Sequence, residues 1–157
     1  MGVFYSKGLY GLPQNRAKAV KLWHRAGDLG CAEALNNLGN SYKIGYGNVE
    51  RDEKRTRHYY ELSAMMGDAG ARYNLGILEG QACNEERAVK HLMIAVKDGN
   101  TASLAIIKEM YKGGFATKDD YAKALRSYQA YLDEIRSDQR DEAAAADDDC
   151  KYYESAV

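Results

Sequence analysis

The groups in this sequence best suited to chemistry are binding groups. Asn36, Asn40, Lys43, Tyr73 and Lys112 recur at matching places along the chain. Amides hydrogen-bond an extended backbone, a lysine ammonium pairs with a carboxylate, and tyrosine offers apolar area with a polar tip. Asn36, Asn37 and Asn40 crowd into one predicted helix, although asparagine is only a middling helix former. With Leu38-Gly39 as the buried marker, the opposite face of that helix carries Glu33, Asn36, Asn40 and Lys43. The same offsets give Tyr73 and Ile77 in the next such helix, and Glu109 and Lys112 in the one after. These eight residues are the expected partner-binding groove.

Groups that would do catalysis or hold a metal are scattered. His24, His58 and His91 fall on three predicted helices at unrelated positions, and none has the i, i+4 partner of a metal site. Cys31 opens a predicted helix where a thiolate is favoured, but it aligns with Asp68 and Asn100 and reads as a capping position. Asp147-Asp148-Asp149 lacks the glycine and the spaced ligands of a calcium loop. Met1-Gly2-Val3-Phe4-Tyr5-Ser6 fits an N-myristoylation pattern, and Ser155-Ala156-Val157 looks like a ligand for PDZ domains. No cofactor, metal or catalytic residue is expected.

The elements that must position the binding groups are set by an internal repeat. Leu38-Gly39-Asn40-Ser41-Tyr42 echoes Met1-Gly2-Val3-Phe4-Tyr5, 37 positions earlier, and Gly67–Gly76 echoes Gly30–Gly39 at the same spacing. A period of this size marks a stacked array. Each unit reads as two helices, a first carrying Leu-Gly-x-x-Tyr and a second after a glycine loop. First helices are expected at 31–44, from about 68 to 79, and around Ile107–Lys112. Second helices are expected at 14–26, 51–64, 85–97 and around Ala124–Tyr131, with a shortened loop at 80–84. Alanines 19, 26, 34, 71, 88, 95 and 124 allow close helix approach. Leu22, Trp23, Leu38, Tyr42, Tyr60, Leu75, Leu92 and Tyr128 fill the gaps between them. Gly39 and Gly76, mid-helix, call for a bulky neighbour over the bare backbone, with Trp23 and Tyr60 the candidates.

The pattern Ala-x-x-x-Leu-Gly-x-x-Tyr-x-x-Gly at Ala34–Gly45, and the second half at Gly8–Gly30 with Pro13, Asn15, Lys18, Ala19, Trp23 and Ala26, resembles the Sel-one-like repeat (SLR) family, related to tetratricopeptide repeats. Tyr111–Tyr128, through Gly114, Lys118-Asp119, Lys123 and Ala124, matches the loop and second half again. Lys108, Ile135 and the short loop at 80–84 depart from the pattern. The resemblance implies an all-α, right-handed α-solenoid of stacked antiparallel helix pairs. It also implies a scaffold or adaptor that holds protein or peptide partners for signalling, quality control or ubiquitin-dependent degradation. The Gly2 and Tyr5 of the myristoylation pattern then align with Gly39 and Tyr42, so the repeat accounts for them.

Composition fits such an array. One proline and fifteen glycines favour helices ended by glycine, and thirteen tyrosines against two phenylalanines suggest half-buried, hydroxyl-bearing contacts. Residues 133–157 carry net charge −6 and the rest +5, well short of the basic stripe of a nucleic-acid binder. Three cysteines without paired spacing point to a reducing compartment, here the cytoplasm, and no stretch is apolar enough to span a membrane. Residues 1–132 are expected to hold about three and a half units, the first truncated, and 133–157 a helix extension or cap with an acidic tail. A chain that opens inside a unit suggests a fragment of a longer protein, with an exposed apolar edge near Val3 and Phe4. The leading function is a noncatalytic interaction module binding a partner segment in its concave face. The alternatives are part of a larger ubiquitin-ligase or quality-control protein, and an enzyme or small-molecule-binding member. The last would need polar groups converging in the groove around a perturbed carboxylate or histidine.

Overall fold

A computed structural model of the protein describes Lys7 and residues 15–154, with side chains at Lys7 and 15–139. The expectations for Gly2, Val3, Phe4 and Ser155-Ala156-Val157 lie outside the described residues. Among residues 15–154 seven helices follow in order: α1 (Arg16–Asp28), α2 (Ala32–Ile44), α3 (Glu53–Met65), α4 (Ala69–Gln81), α5 (Glu85–Lys97), α6 (Thr101–Lys112) and α7 (Lys118–Glu154). There is no strand among the described residues. The helices stack as antiparallel pairs in an all-α solenoid, with α2 against α3, α4 against α5, and α6 with α5 and α7. First helices of units are α2, α4 and α6; second helices are α1, α3, α5 and α7.

Local chemistry sets each boundary. The side chains of Asn15, Asp52, Asp68 and Asn100 accept from the backbone N–H three residues on, satisfying donors that a helix start leaves open. Thr117 and Asp120 cap α7 reciprocally, each accepting from the other's backbone N–H at 3.0–3.1 Å. Cys31 occupies the N-cap position of α2 but makes no side-chain capping bond. The turns after second helices are copies of one another. Gly30, Gly67 and Gly99 have φ of 86°, 88° and 82°, and the next residue's N–H donates to the carbonyl of Ala26, Ser63 or Ala95. Position 135 holds isoleucine instead, and α7 continues through it for 37 residues.

Packing follows the repeat. Ala19, Ala34, Ala71, Ala88, Ala95 and Ala124 are buried, as are Trp23, Leu38, Tyr42, Tyr60, Leu75 and Leu92; Leu22, Ala26 and Tyr128 are half-buried. Tyr60 covers Gly39. Gly76 is covered by Leu92, whose Cγ would stand 2.7 Å from a β-carbon there, and not by Trp23. Trp23 packs in the first core cluster with Ala19, Val20, Ala34, Leu35 and Leu38. The helix α4 also runs to Gln81, so the shortened connection is only Ala82–Asn84, with Cys83 in the left-handed region at φ 57°.

Candidate functional site

The first helices place the eight expected groove residues in three settings. In α2 and α4, Asn74 Nδ2 donates to Asn36 Oδ1 at 2.9 Å, tying consecutive units through their amides. The hydroxyl of Tyr60 donates to Asn40 Oδ1 at 2.7 Å, which fixes a second amide from below. Burial pushes the Tyr60 phenol up to about 12, so it remains a donor across the physiological range. Asn36 and Asn40 thus keep their N–H2 groups in set orientations. Asn74 was not among the expected residues; it is repeat-equivalent to Asn37, and its inter-unit bond is a three-dimensional fact that spacing does not carry.

Lys43 is half-buried in a cleft of about 220 Å³ with Arg51, Glu53, Thr56, Leu78, Gln81 and Ala82. Glu33 is exposed in the first turn of α2. Tyr73 is half-buried and packs on the third core cluster, of Leu92, Val96, Ile107 and Ala124. Ile77 lines an apolar cleft of about 420 Å³ with Gly76, Gly80, Ala88, Ile106, Met110 and Phe115. Glu109 and Lys112 are exposed and paired to each other at 2.8 Å, and the pair holds the Glu109 carboxyl below its usual value. The face therefore changes along the array, from ordered amides near α2 to an apolar cleft between α4 and α6.

The most unusual group was missed altogether. Glu79 is 1 % exposed in α4, at the place where the repeat carries Tyr42 and Tyr111. Arg57 of α3 hydrogen-bonds one carboxylate oxygen. Asn84 Nδ2 donates to the other at 2.9 Å, and Arg87 of α5 stands 3.9 Å from it. Burial alone would push this carboxyl up, but the bonds from Arg57 and Asn84 and the two guanidinium charges hold it below its usual value. His91, half-buried above, is lowered by burial and by Arg72, against the opposing charge of Glu79. Its Nδ1 has no hydrogen-bond partner. In the preceding unit the equivalent positions hold Tyr42 and Tyr59, stacked at 5.5 Å, with Arg55 donating to the Tyr42 hydroxyl at 3.2 Å. An aromatic stack in one unit has thus become an ion cluster in the next. The absent tyrosine in Leu75-Gly76-Ile77-Leu78-Glu79 was the signal that would have found it. Both carboxylate oxygens are taken and the carboxylate itself is buried, which suits a structural ion pair.

His24 lies edge-on to Tyr42 and Tyr59, and His58 edge-on to Tyr59. Among the described residues no group of three or more His, Cys, Asp or Glu could hold a metal ion, and no helix is long and apolar enough to cross a membrane. Cys31 and Cys83 are exposed free thiols.

Comparison with known proteins follows the same architecture. The Sel1 repeat model matches residues 1–31, 32–68 and 69–100, so the pair formed by α6 and α7 lies beyond the matched units. The chain is 34% identical over 91 residues to the ERAD-associated E3 ubiquitin-protein ligase component HRD3B of Arabidopsis thaliana, covering 58% of this chain and 14% of that protein. It is 34% identical over 77 residues to chitin synthase regulatory factor 1 of Schizosaccharomyces pombe, covering 48% of this chain and 17% of that one. The chain thus spans less than a fifth of either curated relative. The crystal structure of a Sel1 repeat protein from Oxalobacter formigenes superposes with a TM-score of 0.70 at 26% identity, over 85% of this chain and 56% of the other. An SLR-fold protective antigen of uropathogenic Escherichia coli has the same fold, with a TM-score of 0.67 at 23% identity, over 85% of this chain and 29% of that one. With three matched units over most of its length and the solenoid they build, the chain belongs to the Sel1 repeat family.

Proposed function

We propose that the chain is a noncatalytic interaction module that takes a segment of a protein partner along the face of α2, α4 and α6. The observation that carries this reading is the continuity of that face. Orientated amides at Asn36, Asn40 and Asn74 lead into the apolar cleft over Ile77, Ile106 and Met110. An extended segment needs both, since amides bond its backbone and a cleft takes an apolar side chain. An enzymatic role is disfavoured by the state of the buried carboxylate, Glu79, whose oxygens are both occupied. The exposed thiols of Cys31 and Cys83 favour a reducing compartment, the cytoplasm.

The test is site-directed photo-crosslinking in the source cell, with the photoreactive residue at Ile77 or at Lys97 on the outer side of α5. A partner captured at position 77, not at 97, and lost from an Asn36→Ala/Asn74→Ala variant of unchanged helicity supports the groove. Equal capture at both positions overturns it. A second reading, as part of a larger ubiquitin-ligase or quality-control assembly, is favoured by the similarity to HRD3B. Its test is whether the partner crosslinked at position 77 purifies with a ubiquitin ligase.

A further inference from the structure

Phe115 is 59 % exposed, yet it is held in place. Its backbone N–H donates to the Met110 carbonyl at 2.8 Å, and its ring lies over Gly113, where a β-carbon would fall 2.9 Å from the ring. The ring is the common wall of two clefts. One, of about 420 Å³, also holds Ile77, Ile106, Met110 and Glu85; the other, of about 570 Å³, holds Glu86, Lys90 and Asp120. An exposed aromatic on a fixed turn between clefts has the character of an interface anchor.

The array contains its own comparison. The offset that carries Tyr42 onto Tyr111 and Gly45 onto Gly114 also carries Tyr46 onto Phe115. Gly45 and Gly114 share the left-handed backbone, at φ 73° and 79°. Tyr46 is covered: its ring packs 6.1 Å from that of Trp23, and the Arg16 guanidinium stands 5.1 Å from its centroid. The same offset carries Trp23 onto Leu92 and Arg16 onto Glu85. The aromatic ring is therefore kept at Phe115, but α5 carries a carboxylate, Glu85, where α1 carries the cation that covers Tyr46. Glu85 has no ion-pair partner among the described residues. Lys90, the lysine of the neighbouring cleft, is already bound to Glu86 at 2.5 Å.

We propose that Phe115 and Glu85 form a docking site for an arginine of a protein partner, next to a large aliphatic side chain that enters the cleft over Ile77, Ile106 and Met110. The proposal rests on the partner-segment reading above and names the chemistry of that segment. A guanidinium stacks on the ring face and presents two parallel N–H groups to the carboxylate; a lysine has no such plane. The partner then supplies in trans what Arg16 supplies to Tyr46 in cis.

Random peptides displayed on phage are selected on the full chain, and the selected peptides are measured by fluorescence anisotropy. The expected selection pairs an arginine with a neighbouring leucine, isoleucine or methionine. Replacing that arginine by the neutral isostere citrulline, or the protein's Glu85→Arg or Phe115→Ala, each weakens binding by about tenfold or more. Circular dichroism verifies that both variants keep their helix content. Selection of acidic or arginine-free peptides, or indifference to Glu85→Arg, overturns the proposal. If the selected peptides lose binding only on Asn36→Ala/Asn74→Ala, the groove reading stands and this one fails. If no peptide is selected, both fail.

Discussion

The ring of Tyr60 lies on the backbone of Gly39. A β-carbon on Gly39 would overlap Cδ1 and Cε1 of that ring and come within 3.1 Å of Cγ. Tyr60 is fully buried and tied to Asn40 through its hydroxyl, so it has nowhere to retreat. Gly39→Ala is therefore expected to destabilise the protein by about 2 kcal/mol, the overpacking cost outweighing the helix propensity gained. Gly80, also in a helix, has only Ala88 Cβ near the added carbon, at 3.9 Å. Gly80→Ala is expected to stabilise by about 0.5 kcal/mol. Urea unfolding of both variants checks the opposite signs.

Glu79 and its arginines give a second prediction. Glu79→Ala leaves Arg57 partly buried beside a vacated site, and is expected to cost about 3 kcal/mol. The double change Glu79→Leu/Arg57→Leu removes both charges and is expected to cost less than Glu79→Ala alone. A double change at least as damaging as the single would show that the ion pair itself, not the stranded charge, is what matters.

Acid sensitivity follows from the same cluster. The folded state holds His91 below its ordinary value of 6.5, while facing Arg57, Arg72, Arg87 and Glu79. The unfolded chain takes up that proton first, so stability is complete above pH 6.5 and falls as pH drops toward the lower folded value. Glu79 is likewise held below 4.5, so a further loss begins under pH 4.5 and continues as pH falls through its folded value. Melting temperature measured from pH 8 to pH 3 should fall in these two stages. His91→Gln should abolish the first stage and leave the second.

The hydrogen bond from the Asn74 amide to the Asn36 amide oxygen gives a fourth prediction. Asn36→Ala and Asn74→Ala are expected to be coupled by about 1 kcal/mol in a double-mutant cycle of unfolding free energies. Strict additivity would show that the two units are joined by apolar packing alone at this point.

The helices were legible because the repeat writes them twice over, in alanine and leucine spacing and in glycine turns. The turns at Gly30, Gly67 and Gly99 are one structure repeated, and the absence of glycine at 135 shows in the uninterrupted α7. The partner of each mid-helix glycine was only half legible. Tyr60 over Gly39 follows the register, whereas Leu92 takes the corresponding place over Gly76. The site was less readable than the fold. Offsets from the Leu-Gly marker put Asn36 of α2 and Ile77 of α4 on corresponding faces, but they do not say that Asn74 meets Asn36 or that Phe115 closes the cleft beside Ile77. Glu79 escaped because a repeat is recognised by its matches, and this residue carries its meaning as a mismatch.

That mismatch also gives the array an order. An ideal repeat protein can gain, lose or exchange units, because every seam is the same. Here the carboxylate of α4 draws one arginine from α3, before it, and another from α5, after it. The preceding helix cannot be swapped for a generic one: Arg57 stands where the first and third units have Val20 and Val89, whereas Arg87 keeps the basic residue that the first and second units carry as Lys18 and Arg55. The middle of the chain is thus a numbered position and not an interchangeable link, and lengthening or shuffling of the array can proceed only on either side of it.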